Sequence, residues 1–213
     1  MRLLLASNNA KKLSELQTLI AAAGLAVELL PQAALQISEA EEPHATFIEN
    51  ALAKARHAAA AGGRAAIADD SGVCVDALDG APGVISAHYA GVVEPGADRE
   101  ATRRAQDARN NAMLLDRLAS VPDGDARRAH FISTLVALRR ADDPQPLVAV
   151  GRWPGRILLA PRGSGGFGYD PLMFIPDLNR TVAELDAATK NAHSHRALAM
   201  AQMLDLLRAV WNA

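Results

Sequence analysis

The order of the short apolar runs is what most limits the fold open to this chain. "RLLLA", Arg2–Ala6, is a brief apolar stretch bounded by the polar cluster "SNNAKK", and it reads as a buried strand. From about Ala10 to Ala23, Leu13, Leu16, Ile20 and Ala23 recur at helical spacing, and Gly24 is a natural stop. A second strand, Ala26–Leu30, is ended by Pro31.

The alternation continues with "TFIENALAKARHAAAAGG", which opens on a capping box from Thr46 to Glu49 and closes on Gly62 and Gly63. A third strand is expected at Ala65–Ala68, with "DDSG" as the turn at its end. "LDGAPGVISAHYAG" reads as an irregular loop and Asp98–Leu118 as a polar helix. Strands then follow one another: "AHFISTLVALRR" and "PLVAVGRW", joined by the hairpin-like "ADDPQ", and "RILLA" as a further strand. "PRGSGGFGYDP" is a long glycine-rich loop, and an amphipathic helix runs from about Ser194 to Val210. Early alternation followed by consecutive strands predicts an α/β fold with a mixed sheet, built as a single domain over 1–213 with two lobes.

Composition removes several functional classes. Of 213 residues, 50% are hydrophobic and 22% charged, which is ordinary for a globular protein. The formal net charge of -2 offers no basic track for nucleic acid, so an anionic partner would be small and locally held. A single cysteine, Cys74, excludes an internal disulfide and Cys-rich zinc sites, and fits a reducing, cytoplasmic setting. No apolar run reaches the length of a bilayer span, so no membrane partner is expected.

Several stretches could carry chemistry, although each alone also has a plain structural use. "SNNAKK" leads from a strand into a helix N-terminus, where unpaired N–H groups and the dipole suit an anion; Ser7 and Asn9 can donate and Lys12 adds charge. Asn8 or Asn9 could equally be a helix cap. Glu39, Glu41 and Glu42 with Asp69 and Asp70 could form an oxygen-only site of the kind Mg2+ prefers. Gly163, Gly165 and Gly168 have the spacing of a dinucleotide fingerprint, but Pro171 and the strand-like "LMFIP" follow where a helix is required, which excludes it. A loop exposing Phe167 and Tyr169 would instead offer a stacking face for a base, with Asp170 as a polar contact. "KNAHSHR" brings Lys190, His193, His195 and Arg196 to the start of the last helix; His193 and His195 are wrongly spaced for a zinc pair.

Taken in order, "LASNNAKKLSEL", "EEPHATFIENALAKARHAA", "IADDSGVCVDALDGAPGVISAHYAG", "GGFGYDPLMFIP" and "AELDAATKNAHSHRALAM" resemble the inosine triphosphate pyrophosphatase family across nearly the whole chain. The resemblance implies an elongated mixed sheet with helices on two lobes, a cleft between them, and usually a homodimer. It implies Mg2+-dependent hydrolysis of non-canonical purine nucleoside triphosphates (ITP, dITP, XTP) to the monophosphate and pyrophosphate. Substrate-binding positions carried over by motif are Ser7, Asn8, Asn9, Ala10, Lys11 and Lys12, with Lys54 helping at the phosphates. Glu42 and Asp70 would hold the metal, and Asp70 would also be the catalytic base. Ser71, Phe167, Gly168, Tyr169, Asp170, Lys190, His195 and Arg196 would line the nucleotide site. Arg196 and His195 are expected to form a donor-rich wall that reads the C6 oxygen of inosine and xanthine.

The chain departs from the family pattern at Ser7 (usually Thr), at His88 (commonly Arg), and at Pro43–His44 after the metal-binding glutamate (usually Thr–Gly). A Maf-like nucleotide pyrophosphatase shares the early strand, polar loop and helix, but "GGFGYDP" and "SHR" argue against it. A non-catalytic purine nucleotide sensor would differ by binding without turnover.

Overall fold

The computed structural model describes residues 1–94, 96 and 98–212. Its strands are β1 Arg2–Leu5, β2 Glu28–Pro31, β3 Ala66–Val75, β4 Arg128–Leu138, β5 Leu147–Ile157, β6 Met173–Ile175 and β7 Arg180–Thr181. They form one sheet in the order β2-β1-β3-β4-β5-β6-β7. β1 pairs in parallel with β2 and β3, whereas β5 with β6 and β6 with β7 are antiparallel. The sheet is therefore mixed, as the strand order in the sequence predicts. The helices are α1 Ala10–Ala22, α2 Phe47–Gly62, α3 Arg99–Arg117, α4 Ala187–His193 and α5 His195–Trp211.

The chain divides into two compact units. One comprises Met1–Ser71, Ser133–Arg152 and Asn191–Ala213, the other Gly72–Ile132 and Trp153–Lys190. In the first unit, strand alternation sorts side chains between two cores. Leu3 and Leu5 of β1, Ile67 of β3 and Leu135 and Ala137 of β4 join Leu16 and Ile20 of α1 and Met200, Met203 and Leu207 of α5. Their neighbours Leu4, Ala66, Ala68, Val136 and Leu138 join Ala51, Ala55, Ala58 and Ala59 of α2. The alanine face of α2 leaves little side chain between helix and sheet. Gly151 of β5 does the same for α5, since a Cβ there would stand 2.0 Å from the His195 carbonyl oxygen.

The second unit packs Val73, Val75, Leu114, Leu118, Trp153, Tyr169, Leu172 and Met173 into its own core. The buried Arg127 donates to the carbonyls of Leu118 and Val121, satisfying groups left open at the end of α3.

Two strand boundaries differ from those read in the sequence. β3 does not stop at Ala68 but runs through "DDSG" to Val75. β5 runs from "LVAVGRW" through Pro154 into the first two residues of "RILLA" and ends at Ile157, so the separate strand expected at "RILLA" does not form. In "ADDPQ", the Asp143 carboxylate accepts from the N–H groups of Arg139 and Gln145 and so braces the connection between β4 and β5. The loop after β3 contains 3₁₀ turns at Asp76–Leu78 and Gly83–His88.

Candidate active site

The continuation of β3 decides what its two carboxylates do. Adjacent residues of a strand face opposite sides of the sheet, so Asp69 follows Ile67 toward α1 and α5 while Asp70 follows Ala68 toward α2. Both side chains are buried in the first unit. A turn would have left them side by side; the strand separates them.

Asp69 is the centre of a closed charge network. Its Oδ2 lies 2.9 Å from Lys12 Nζ and accepts from the Ser71 hydroxyl at 3.2 Å and from Arg196 Nε and Nη2, each at 3.3 Å. Its Oδ1 accepts from the Ser133 hydroxyl at 2.6 Å. Burial opposes its charge, but Lys12, Arg196 and the Ser133 hydrogen bond outweigh burial and hold the carboxyl well below the usual range. Arg196 is almost fully buried; it also donates through Nη2 to Ser71 Oγ at 3.1 Å and through Nη1 to Glu15 Oε2. All three guanidinium nitrogens thus face protein acceptors: Arg196 helps to hold the Asp69 carboxyl low, and Glu15 is its second carboxylate partner. Lys12 is drawn inward beside them, and burial pushes its ammonium below the usual lysine value despite the attraction of Asp69.

Asp70 belongs to a second, more open group. Lys54 of α2 donates to Asp70 Oδ1 at 2.8 Å and to Glu42 Oε2 at 2.9 Å, bridging the two carboxylates. Burial pushes the Asp70 carboxyl up to about 6, even with Lys54 beside it. Glu42, with nearly half its side chain exposed, is held below its usual value because Lys54 outweighs its smaller burial. The two acceptors in turn raise Lys54 against the opposing effect of burial. Among the described residues, Asp70 Oδ2 is buried without a hydrogen-bond partner. A buried carboxylate oxygen left unsatisfied is costly, and a cation is the natural partner for it. The donor set fits Mg2+: two carboxylates suffice for an ion that takes its other ligands from water and phosphate. No group of three or more His, Cys, Asp or Glu side chains able to hold a metal occurs among the described residues.

At the start of α1, Asn9 is the cap. Its side chain accepts from the N–H groups of Lys11 and Lys12, and its own N–H donates to Ser7 Oγ at 3.1 Å. The cap occupies two of the helix N–H groups expected to face an anion; Ser7 is half-buried beside it, and the Lys12 ammonium pairs with Asp69. Asn8 and Ala10 are exposed and Lys11 half-buried.

The second unit carries the glycine-rich loop. Asp170 Oδ2 accepts from the Phe167 N–H and from Lys190 Nζ, both at 2.9 Å, and the ammonium of Lys190 stands 4.5 Å from the centre of the Phe167 ring. Gly168 donates its N–H to Asp107 Oδ2 at 2.8 Å and accepts on its carbonyl from Asn111 Nδ2 at 2.9 Å. Tyr169 is not a stacking face: its ring is in the core and its hydroxyl donates to the Ser86 carbonyl at 2.8 Å. Phe167 is half-buried, with the Lys190 ammonium against its ring. His195 is buried as the first residue of α5, which Ser194 caps by accepting from the Ala197 N–H.

The structure therefore gathers Lys12, Ser71 and Arg196 around Asp69, Lys54 and Glu42 around Asp70, and Phe167 and Lys190 around Asp170. Of Glu39, Glu41 and Glu42, it is Glu42 that reaches Lys54. Glu15 and Ser133 were not singled out in the sequence. Their signals are periodic: Glu15 lies three residues after Lys12 on α1, and Ser133 shares strand parity with the buried Leu135 and Ala137.

Residues 3–206 match the model of the Ham1 family. The chain belongs to the Ham1 family. It is 69% identical over its full length to the full length of a dITP/XTP pyrophosphatase of Methylibium petroleiphilum. It is 66% identical, across 100% of its length and 99% of the relative's, to a dITP/XTP pyrophosphatase of Leptothrix cholodnii. Among solved structures, a HAM1 protein from Coxiella burnetii superposes with a TM-score of 0.85 at 40% identity, covering 99% of this chain and all of the other. A nucleoside-triphosphatase, dITP/XTP pyrophosphatase, from Mycobacterium abscessus gives 0.71 at 40% identity, covering 98% and 100%. The Ham1 assignment accords with the mixed α/β sheet and with the motif order in the sequence.

Proposed function

We propose that this Ham1-family chain is a nucleoside triphosphate pyrophosphatase that hydrolyses dITP, ITP and XTP to the monophosphate and pyrophosphate with a divalent metal, Mg2+. The observation that carries the reading is the buried Asp70 carboxylate. It pairs with Lys54 on one oxygen and is open on the other, in a chain 69% identical end to end to a protein named dITP/XTP pyrophosphatase. Glu42 and Asp70 would hold the metal. When bound, it supplies charge neutralisation at the phosphate oxygens and acidifies water.

The chain's own residues supply the rest. Asp70 takes the proton of the attacking water as the anhydride bond between the α and β phosphoryl groups breaks and pyrophosphate leaves. Lys54 keeps a positive charge beside Asp70 and Glu42 while they are ionised. Lys12 and Ser7 offer a cation and a hydroxyl to the triphosphate, and Asp69 fixes where that cation stands. Phe167 gives the base a face, with Lys190 and Asp170 setting the ring's environment. A homodimer in the cytoplasm completes the reading; the single cysteine supports the compartment.

The test is pyrophosphate release from a panel of dITP, ITP, XTP, dATP, dGTP, dUTP and TTP with divalent metal. Turnover confined to the inosine and xanthosine substrates is expected. Preference for dUTP or TTP would favour a Maf-like specificity, and tight binding of ITP without turnover would make the chain a sensor.

A further inference from the structure

α3 is polar along most of its length, and the sequence alone gives its polar residues no task beyond solvation. In the structure one side of it holds backbone. Gln106 and Asn110 hold the end of the Gly83–His88 turn and the segment after it: Asn110 donates to the carbonyls of Ser86 and Ala87 and accepts from the Ala90 N–H, and Gln106 accepts from the Val93 N–H. Asp107 and Asn111, one helical turn apart, take the N–H and the carbonyl of Gly168.

Gly168 has φ of 61°, a left-handed conformation that glycine adopts without the steric cost a Cβ would add. Side chains of α3 fix both of its flanking peptide planes, while Asp170 fixes the N–H of Phe167 from the other direction. Asn111 makes its bond at a cost, because its Oδ1 is buried with no partner among the described residues. An unsatisfied acceptor retained to keep one donor on one carbonyl suggests that the direction of this loop matters more than the local stability it forgoes.

We propose that Asp107 and Asn111 are positioning residues that set the Phe167 ring for the nucleobase by clamping Gly168 from both sides. The inference rests on the reading that Phe167 meets the base. Loss of either bond lets the ring drift, and small misplacements of a binding face are expensive.

The test uses the full chain carrying Asp107→Leu or Asn111→Leu. KM for dITP and XTP should rise roughly tenfold with kcat changed less than about twofold, while inhibition by inorganic tripolyphosphate, which has no base, stays at the wild-type level. Asp107→Asn, which keeps an oxygen for the Gly168 N–H, should recover most of the affinity lost in Asp107→Leu. A merely structural role would instead move kcat, tripolyphosphate inhibition and thermal stability together, and would overturn the proposal. Should a leucine variant fold poorly, Asn111→Ser, which is too short to reach the carbonyl, carries the same expectation.

Hydrogen exchange separates this proposal from the functional reading beneath it. The Gly168 amide should exchange about tenfold or more faster in Asp107→Leu than in wild type, whatever the substrate is. Unchanged exchange overturns the clamp, and faster exchange with unchanged KM overturns its positioning role. A wild-type enzyme that takes dITP no better than dATP overturns the functional reading, while the exchange result still decides the clamp.

Discussion

Replacing Asp70 with asparagine should make the metal-free protein more stable while removing its chemistry. The perturbation keeps the shape of the side chain and deletes its charge. Burial raises the Asp70 carboxyl from an ordinary 3.8 to about 6, which corresponds to about 3 kcal/mol. The sign follows from proton binding: between about pH 4 and 6 the folded protein holds a proton that the unfolded chain has released. Folding stability therefore falls as pH rises through that window and is lowest, as far as Asp70 is concerned, above 6. Glu42 and Asp69, both held low, act in the opposite sense but only below their ordinary values of 4.5 and 3.8. Thermal melts in chelator should show wild type losing stability from pH 4.5 to 7.5 while Asp70→Asn stays nearly flat. At pH 7.5 the variant should melt higher by up to about 6–12 °C, for a chain of this size. Adding Mg2+ should close the gap by stabilising wild type alone. Equal melting temperatures in chelator at pH 7.5, with parallel pH profiles, would refute the reasoning.

Glu42→Gln should weaken divalent-ion binding by roughly tenfold or more in calorimetry; the same loss in Glu41→Gln with none in Glu42→Gln would reassign the ligand. Lys12→Ala should raise KM roughly 10–100-fold and equally for dITP, ITP and XTP, because a charge-assisted bond to phosphate ignores the base; a base-dependent change would contradict it. Arg196→Ala leaves Asp69 and Glu15 short of a buried cation and should cost about 3–5 kcal/mol in denaturant unfolding, with the ITP/ATP activity ratio unchanged. An altered ratio in a stable variant would return Arg196 to the base.

Local chemistry is what the sequence made legible. The cap at Thr46, the stop at Gly24 and the start of the last helix near Ser194 depend on residues within a turn of each other, and each element stands close to where its pattern places it. The end of β3 was not legible for the opposite reason. Asp, Asp, Ser and Gly are turn residues by local propensity, and strand pairing in the sheet overrides them. The partners that make two adjacent buried carboxylates tolerable are Lys12, Lys54, Ser133 and Arg196, scattered from α1 to α5. Glu42 and Asp70 came from motif order, and geometry then supplied the open oxygen and the bridging lysine. The partners of Arg196 were hidden for the same reason: its position at a helix start was readable, but its three acceptors come from α1 and β3. Tyr169 looked exposed because glycines surround it, yet Ser86, more than eighty residues away, receives its hydroxyl.

What Asp70 does to one bond is open to direct measurement. With Mg2+ present, wild type should convert dITP to dIMP and pyrophosphate in equal amounts, followed by phosphorus NMR. Asp70→Asn, folded and at least as stable, should be slower by roughly 100-fold or more, as expected when a base and metal ligand is removed. A near-wild-type rate in that variant, or orthophosphate as the first product of wild type, would contradict the proposed mechanism.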